Sequence, residues 1–457
     1  MNSRLWLLIG AAPLAAGCRS AASTSASPVS ASPSWSRSAV LYEVNVRQYT
    51  PEGTFAALDR RLLHLDSLGV DVLWIMPVQP IGKLNRKGSL GSYYSVSDYK
   101  AVNPEFGSAA DFRRFVNDAH QHGKRVVLDW VPNHTSFDHV WVARHPDWYV
   151  HRADGSISNA RDNENHETDW TDVAELDYDK PAMRREMIAD MRWWLDSMSI
   201  DGFRCDVAGG VPMDFWREAR RALTAVKPDL FMLAEAEGPQ YYPPFDATYG
   251  WELHHLLNEI AQGKRPTTDL DAYFARQRRD YPRTAYRMYF TSNHDENSWN
   301  GSEFERMGEN HLPAFILAAT AQLGMPLIYS GQEASLRKRL RFFEKDTIDW
   351  SGTSLVGFYR SVVDLKHGND ALWNGADGGD QVRLETDGGN RVYAYTRSRG
   401  ENAVLVAVNF GDAPTQISYT GLSHTGQFAD WFNKSRVTLG SLGTIDVPAH
   451  GYRVLVH

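Results

Sequence analysis

Between residues 40 and 366, short apolar runs alternate with amphipathic stretches, and this alternation constrains the fold more than any other feature. VLYEVNV at 40–46 and FMLAE at 231–235 are typical of the apolar runs and predict strands. The stretch at 109–122 has apolar residues at helical spacing and ends at Gly123, so it predicts a helix. Apolar strands separated by helices indicate parallel strands covered on both faces. Eight strands in this order predict an α/β fold, a (β/α)8 or TIM barrel over residues 37–370.

Two regions depart from the alternation. Residues 135–179 follow the third predicted strand and are rich in Asp, Asn and His, but they include aromatic residues such as Trp141 and Trp170. We therefore expect a short irregular domain inserted at the barrel mouth rather than a disordered loop. From residue 371 to residue 457, short strands follow one another without a helix between them, which predicts a C-terminal antiparallel β-sandwich.

The stretch DGFRCDV at 201–207 carries the first chemical signal. Its central residues predict a buried strand on which Arg204 and Asp206 project from the same face, because side chains alternate along a strand. A guanidinium beside a carboxylate favours the ionised acid, as a carboxylate nucleophile requires. Taken alone, the pair fits a structural ion pair about as well as a catalytic one.

Three further apolar runs end in acidic or imidazole side chains, namely VVLDWVPNH at 126–134, FMLAE at 231–235 and the run that leads into TSNHDEN at 291–297. In a parallel barrel the carboxyl ends of the strands meet at one mouth, where such side chains form an active site. The acids predicted at this mouth are Asp129, Asp206, Glu235 and Asp295.

Glycoside hydrolysis needs two carboxyl groups, one ionised and one protonated, beside the bond that breaks. Arg204 favours the ionised form of Asp206, whereas the apolar residues before Glu235 would raise its pKa and leave it protonated. Glu237 lies two residues further along, beyond the apolar run, and is the weaker candidate for the acid. The pattern predicts a glycosidase with Asp206 and Glu235 as its acid pair.

In their order and spacing, DWVPNH, GFRCDV, AEAEG and TSNHDEN resemble the four signatures of the α-amylase family, glycoside hydrolase family 13. The resemblance extends from residue 40 to the C-terminus, with the irregular insertion and the terminal β-sandwich included. It implies that Asp206 is the nucleophile, Glu235 the general acid and base, and Asp295 the acid that stabilises the transition state. It also implies substrate-binding and supporting residues, which are Tyr94, His134, Arg204 and His294 at the sugar, and Asp129 and Asn133 behind them.

The resemblance implies a retaining enzyme that cleaves α-1,4-glucosidic bonds of starch-derived glucans or maltooligosaccharides in two displacements. Retention requires the Asp206 and Glu235 carboxyl groups to lie about 5 to 5.5 Å apart. Two alternatives stay open. One is an α-glucan transglycosylase or isomerase that uses the same covalent intermediate, and the other, less favoured, is a starch-binding protein without activity.

Asn133 matches a position that binds calcium in many α-amylases, but two nearby segments differ from that pattern. VAGGVP at 207–212 lacks a Lys-His pair, and the first barrel loop, TPEGTF at 50–55, lacks Asp and Asn at alternating positions. A structural calcium is therefore not favoured, and the predicted chemistry requires no metal or cofactor.

Residues 1–18 differ in kind from the rest of the chain. Arg4, a short apolar run at 5–16 and small residues before Cys18 are typical of an export signal. AAGC at 15–18 resembles the lipobox of bacterial lipoproteins, which implies a lipid on Cys18 and a membrane-anchored protein of the periplasm or outer membrane; the alternative is cleavage and secretion. Residues 19–36 are mostly Ser, Ala, Thr and Pro and predict a solvated tether.

Composition narrows the partners. The 457 residues are 42% hydrophobic and 23% charged, with a formal net charge of -8, so the chain can bury a large core without disulfides. Cys205 is the only cysteine besides Cys18, and we expect it to be a buried apolar residue. The mildly acidic balance and the lack of a basic stripe exclude nucleic acid as a partner and leave an α-glucan or maltooligosaccharide.

Overall fold

The structure, a computed structural model, describes residues 32–162 and 166–457. The predicted export signal at 1–18, with Cys18, and the tether up to residue 31 lie outside the described residues. The described part of the chain contains a closed barrel, a segment inserted after its third strand, and C-terminal sheets. Within 32–162 and 166–457, no helix is both long and apolar enough to cross a membrane.

Eight parallel strands close the barrel, which confirms the predicted fold class. Neighbouring strands pair in parallel, and the last pairs with the first, with Leu41 opposite Leu327. Nearly every strand residue is buried, because helices cover the outer face and side chains fill the interior. The strands are β1 (Leu41–Val44), β2 (Val72–Ile75), β3 (Arg125–Trp130), β4 (Gly202–Cys205), β5 (Phe231–Ala234), β6 (Ala247–Tyr249), β7 (Tyr286–Tyr289) and β8 (Gly324–Tyr329).

Helices follow the strands and return the chain to the amino end of the next strand. The helix predicted at 109–122 is Ala109–Gln121, and Ser108 caps its first turn together with Asp111. Between β1 and β2 the helices Phe55–Asp59 and Leu62–Leu68 are separated by Arg60 and Arg61. The helices around the barrel are Phe55–Asp59, Leu62–Leu68, Ala109–Gln121, Pro181–Met198, Met213–Thr224, Trp251–Ala261, Asp269–Asp280, His311–Thr320 and Val356–Gly368.

Ser34–Ser36 forms a short helical turn against the barrel, so the predicted tether of 19–36 is wrong for its last residues. Trp35 donates to the backbone carbonyl of Asp229 at 3.2 Å, and its ring lies 5.7 Å from that of Phe231. Ser36 is fully buried. An indole within a Ser-rich run favours such a contact, because its burial removes a large apolar area from water.

Within its described residues, the insertion predicted at 135–179 folds as a small subdomain beside the barrel mouth. Two short strands, His134–Ser136 and Val173–Glu175, pair antiparallel, and the helix Val140–Arg144 follows the first. Trp141 and Trp148 are buried and pack edge to face, with ring centroids 5.1 Å apart. These rings belong to the same apolar cluster as the outer face of the barrel, so the subdomain packs on the barrel through its aromatic residues.

Residues 380–456 form two antiparallel sheets around an apolar core, which confirms the predicted β-sandwich. Six strands make one sheet and three make the other. The sandwich packs on His311–Thr320, where Arg397 donates to the Thr320 carbonyl at 2.9 Å. Its strands are Asp380–Arg383, Glu385–Thr386, Val392–Arg399, Asn402–Asn409, Thr415–Thr420, Gly426–Asp430, Arg436–Leu439, Leu442–Val447 and Gly451–Val456.

Candidate active site

A cavity of about 600 Å³ opens at the mouth, the end of the barrel where the carboxyl ends of the strands meet. Six of the predicted site residues line it: Tyr94, His134, Asp206, Glu235, His294 and Asp295. They follow β2, β3, β4, β5 and β7, so the parallel order of the strands brings together residues that are far apart in the chain. Asp129 and Arg204 are fully buried beneath them.

Arg204 is the centre of the polar network beneath the cavity. Its Nη1 donates to Asp129 Oδ1 at 2.9 Å and to Asp206 Oδ1 at 2.8 Å, and its Nη2 lies 2.8 Å from Glu235 Oε1. Its Nε donates to the Tyr249 hydroxyl at 3.0 Å. Because β4 pairs with both β3 and β5, one buried guanidinium faces three carboxyl groups on adjacent strands.

Burial, opposed by one shared guanidinium, sets the pKa values of Asp206 and Glu235. Burial raises the pKa of Glu235 to about 8; Arg204 opposes this shift, and Asp206 and Asp295 add to it. Burial raises the pKa of Asp206 to about 6, also against the effect of Arg204. The sequence predicted contacts of Arg204 with Asp206 and Asp129, and the structure adds Glu235 to them. Near pH 7 Asp206 is still mostly ionised and Glu235 mostly protonated.

Asp129 connects Arg204 to the wall of the cavity. Its Oδ2 accepts from Trp74 Nε1 at 3.0 Å and from the Tyr94 hydroxyl at 3.1 Å. Burial raises the pKa of Asp129 to about 6, against Arg204 and His294. The Tyr94 ring stacks beside the His294 ring, with centroids 5.5 Å apart and planes at 22°, so the hydrogen bond to Asp129 fixes an aromatic surface at the cavity.

His294 is held by a residue that the sequence analysis did not identify. Its Nδ1 lies 2.5 Å from Oε1 of Glu43, which is fully buried in β1, and its Nε2 lies 2.8 Å from the Tyr94 hydroxyl and 3.3 Å from Asp295 Oδ2. Burial would lower the pKa of His294, but Asp295 and Glu43 outweigh it and raise the pKa to about 9. The available signal was a lone acid inside an apolar run, because a buried acid needs a partner.

His134 and Asn133 are neighbours with different surroundings. His134 lines the cavity, its ring lies 5.9 Å from that of Trp170, and burial lowers its pKa to about 4, so it is neutral near pH 7. Asn133 does not line the cavity, and its amide nitrogen donates to Glu175 Oε2 at 3.1 Å.

The contacts of Asn133 also bear on the calcium that the family resemblance suggests. The amide and the Glu175 carboxyl bind each other, and burial raises the pKa of Glu175 to about 8, which disfavours the charged form that a cation needs. Calcium takes about six to eight oxygen ligands. In the part of the chain that the structure describes, no group of three or more His, Cys, Asp or Glu side chains is placed to hold a metal. Asn133 and Glu175 by themselves thus offer too few free oxygen atoms to hold a calcium ion.

Exposed aromatic side chains form part of the cavity wall, so not every tryptophan of this chain is a core residue. Trp299 is 53% exposed, and its ring lies 5.3 Å from that of Phe342 and 5.8 Å from that of Phe343. Phe342 in turn stacks beside Tyr94 at 6.1 Å. The available signal for Trp299 was its polar setting, ENSWNG at 296–301, which is not typical of a core position.

The remaining candidates have other surroundings. Glu237, the weaker candidate for the acid, pairs with the buried Arg287 and does not line the cavity. Cys205 is fully buried, as predicted. Glu235 is therefore the acid of this pair that faces the cavity.

The chain has a (β/α)8 barrel with two carboxyl groups of unequal pKa and a third acid at its mouth. This arrangement is typical of the barrel glycoside hydrolases. The chain belongs to the alpha-amylase family. Residues 24–353 match the family model of the alpha amylase catalytic domain, and residues 384–455 match that of the alpha amylase C-terminal all-beta domain.

Curated relatives and solved structures agree with this assignment. Alpha-amylase MalA of Haloarcula japonica is 30% identical over 408 residues, which cover 84% of this chain and 57% of the relative. Alpha-1,4-glucan:maltose-1-phosphate maltosyltransferase 1 of Streptomyces coelicolor is 26% identical over 418 residues, which cover 84% of this chain and 59% of the relative. The chain thus spans under three fifths of the length of these two relatives.

Two solved structures have a TM-score of 0.82 with this chain. The noncanonic maltogenic alpha-amylase AmyB from Thermotoga neapolitana is 28% identical, and the match covers 92% of this chain and 98% of that one. An alpha-amylase from Lactobacillus plantarum is 29% identical, and the match covers 93% of this chain and 99% of that one. Each match thus extends over nearly the whole of both chains.

Proposed function

We propose that this chain is a retaining hydrolase of α-1,4-glucosidic bonds in starch-derived glucans or maltooligosaccharides. The observation that carries the proposal is the Arg204 cluster, in which Asp206 and Glu235 contact the same guanidinium but have pKa values of about 6 and about 8. Near pH 7 such a pair holds one carboxylate and one carboxylic acid, which is the state from which a retaining glycosidase starts.

In the first displacement Glu235 donates its proton to the glycosidic oxygen while Asp206 attacks the anomeric carbon. The bond between that carbon and the glycosidic oxygen breaks, and the leaving sugar departs with the proton as a free hydroxyl group. The glycosyl group stays on Asp206 as an ester. Arg204 acts here as a positioning residue, because it holds Asp206 in a fixed orientation from below the cavity.

In the second displacement Glu235 acts as a base. Its carboxylate takes a proton from water as the water oxygen attacks the anomeric carbon, and the ester bond to Asp206 breaks. Both acids return to their starting states. Since the anomeric carbon is inverted twice, the product keeps the α configuration.

The other cavity residues would bind the sugar whose bond is cleaved. Asp295 and the protonated His294 offer a carboxylate and an imidazolium to its hydroxyl groups, and His134 offers a neutral imidazole. The Tyr94 ring offers an apolar face to the sugar ring. The Asp295 carboxylate would also stabilise the positive charge that develops on the sugar in the transition state.

Proton NMR of the reaction with maltoheptaose tests this proposal. We expect the new reducing ends to appear first as the α anomer and to convert to the equilibrium mixture only afterwards. If the β anomer appears first, the enzyme inverts and the role of Asp206 is wrong. If purified protein does not cleave maltoheptaose or starch, the proposed activity is wrong altogether.

Transfer to a sugar is the second candidate, since the Streptomyces coelicolor relative is a maltosyltransferase by name. The same ester on Asp206 can be resolved by water or by a sugar hydroxyl. Early product analysis with maltoheptaose, alone and with added maltose, separates the two. A hydrolase forms only shorter chains at first, whereas a transferase forms chains longer than the substrate.

We further propose that the chain is exported and anchored through a lipid on Cys18, which AAGC at 15–18 supports. Labelling of bacteria that express the full chain with radioactive palmitate measures this. We expect label on the wild type and none on Cys18→Ser. A labelled serine variant, or an unlabelled wild type in the culture medium, would contradict the anchor, and the latter would favour secretion.

A further inference from the structure

Three segments join around one side of the cavity. The loop at 83–90 follows β2, the loop at 342–344 follows β8, and the stretch at 169–173 belongs to the inserted subdomain. Each segment contributes residues that line the cavity, among them Lys87, Phe343 and Asp172. Contacts between them join the three segments into one wall of the cavity.

The first junction is an ion pair between Lys87 and the inserted subdomain. Lys87 Nζ lies 3.4 Å from Asp172 Oδ1 and donates to the Asp169 carbonyl at 3.3 Å. The Asp172 side chain is only 5% exposed and that of Lys87 is 31% exposed, so the pair is partly shielded from water. The Asp172 carbonyl also accepts from Ser95 Oγ at 2.8 Å, which ties the same stretch to the segment that carries Tyr94.

The second junction joins the loop at 83–90 to the loop at 342–344. Leu90 donates its backbone N–H to the Phe343 carbonyl at 3.1 Å, and Ser89 donates its own to Glu344 Oε1 at 2.9 Å. Gly88 has a φ of +62°, and a Cβ there would meet the Phe343 Cβ at 2.5 Å. Only glycine allows this approach, so the two loops form one continuous surface.

The two loops that follow β2 and β8 lie on the side of the barrel away from β5, the strand before Glu235. In the barrel, β1 lies between β8 and β2, whereas β4 and β5, which carry Asp206 and Glu235, lie across from β1 and β8. In the proposed reaction the leaving sugar is on the Glu235 side, because Glu235 gives its proton to the bridging oxygen. The joined loops therefore face the other part of the substrate, the part that forms the ester with Asp206.

We propose that the Lys87–Asp172 pair closes the glycone side of the cavity, so that the enzyme acts at the non-reducing ends of α-glucans and releases short oligosaccharides. This inference rests on the proposed hydrolase function. The Lys87 ammonium would bind hydroxyl groups of the terminal sugar, and the exposed Trp299 ring beside Phe342 would offer it an apolar face. An internal sugar of a long chain could not pass the pair.

A substrate with a blocked non-reducing end tests the inference. Nitrophenyl maltoheptaoside is compared with the same compound carrying a 4,6-ethylidene group on its terminal glucose. We expect the wild type to cleave the free compound at least about tenfold faster than the blocked one, measured as kcat/KM. Equal rates on both compounds would overturn the inference and leave the hydrolase function intact. Cleavage of neither compound would count against the hydrolase function itself.

Variants that break the Lys87–Asp172 pair provide the second measurement. Lys87→Ala removes a partly exposed side chain. It should lower the ratio of kcat/KM for the free compound to kcat/KM for the blocked compound by about tenfold, and it should release longer products from starch. Lys180→Ala is the matched control, because Lys180 pairs with Asp177 at 3.5 Å beside the same subdomain but does not line the cavity. Asp172→Asn, which keeps the shape of the side chain, should act in the same direction as Lys87→Ala. If both wall variants keep the wild-type preference, Lys87 and Asp172 do not close the cavity.

Discussion

Strand β4 has an aspartate at each end, and the two residues differ in their charge environment. Asp201 precedes the strand at the foot of the barrel, the end where the amino ends of the strands meet, and Asp206 follows it at the mouth. Both are buried, with 0% and 6% of their surface exposed. The pKa of Asp201 is nevertheless lowered, whereas that of Asp206 is raised to about 6.

Several donors surround the one carboxylate at the foot. Asp201 Oδ1 lies 3.0 Å from Arg125 Nη1 and 3.2 Å from Lys227 Nζ, and its Oδ2 lies 2.7 Å from His120 Nε2. The Val126 N–H donates to Oδ2 at 2.8 Å. Burial would raise the pKa of Asp201, but His120, Val126 and Lys227 outweigh it. This charge is matched, as in a structural ion pair.

At the mouth the ratio of positive groups to acids is reversed, because one guanidinium, that of Arg204, contacts Asp129, Asp206 and Glu235. Burial raises the pKa of all three acids. Asp201 and Asp206 are both buried, so burial alone does not give an acid the raised pKa that is typical of a catalytic site. The acid must also have few positive groups around it. Changes at the two ends of β4 should therefore affect different properties, activity at the mouth and stability at the foot.

The largest effect is expected for Asp206→Asn, which should lower kcat on maltooligosaccharides about 10,000-fold, because an amide oxygen is a poor nucleophile and cannot form the ester. Maltodextrin binding, measured by calorimetry, should be retained. Asp201→Asn is the control at the other end of the strand, and its kcat at 25 °C should stay within about threefold of the wild type. Unchanged turnover by Asp206→Asn would remove this residue from the mechanism.

The second largest effect is on stability and concerns Asp201, at the foot of the barrel. Asp201→Asn should lower the free energy of unfolding at pH 7 by about 3 kcal/mol, because Arg125, Lys227 and His120 lose a buried partner. Since the folded pKa of Asp201 lies below the ordinary value of 3.8, its stabilisation is present above that pH and is lost as the pH falls through the folded pKa. Chemical denaturation at pH 7 and at about pH 3 measures the difference, which should shrink at the lower pH.

Equal stability of Asp201→Asn and the wild type at pH 7 would mean that the matched charge at the foot contributes nothing. A loss of the same size at both pH values would trace the effect to packing instead of charge. Either result would weaken the contrast between the two ends of β4.

The third prediction extends the comparison to a second charge pair at the mouth. Glu43→Gln should lower kcat/KM about tenfold, because His294 loses one of the two acids that keep it protonated. The groups that face His294 are Glu43 from β1, Asp295 beside it, the Tyr94 hydroxyl, and the buried Arg204 and Asp129.

A pH profile of kcat/KM distinguishes this positioning role from a structural one. In the wild type the profile should fall below about pH 6 as Asp206 gains a proton and above about pH 8 as Glu235 loses one. In Glu43→Gln the alkaline fall should move to lower pH, because His294 then loses its proton sooner. A uniform loss of activity with an unchanged profile would indicate that Glu43 only supports the fold.

Much of the mouth could be predicted from the sequence, because parallel strands bring their carboxyl ends to one place. Asp206 and Glu235 immediately follow predicted buried strands, so their positions at the mouth follow from the barrel itself. The contact between Glu43 and His294 could not be predicted, since the two residues are 251 positions apart and only the closure of the barrel brings them together.

Local patterns were also misleading where tertiary packing decides. His254 lies in the helix Trp251–Ala261 beside a second histidine, a polar pair typical of a helix surface, but it is buried, and its Nε2 lies 3.0 Å from Glu296 Oε2. The strands Gly426–Asp430, Arg436–Leu439 and Leu442–Val447 were not predicted, because they are short and mostly polar on their outer face. Their few buried residues, such as Phe428 and Ile445, become visible as core only once both sheets are in place.

The smallest expected effect tests whether charge causes the difference between Asp201 and Asp206. The folded pKa of Asp206 is raised above its ordinary value of 3.8, so the stability that this acid contributes is present below that pH and is lost as the pH rises to about 6. Asp206→Asn cannot ionise and should therefore unfold at pH 7 with a free energy about 1 kcal/mol higher than the wild type, but with no gain near pH 4. Asp201→Asn should instead unfold at pH 7 with a lower free energy than the wild type. If both variants are less stable than the wild type at pH 7, the positive groups around each aspartate stabilise its charged form. The raised pKa of Asp206 would then not indicate a catalytic role.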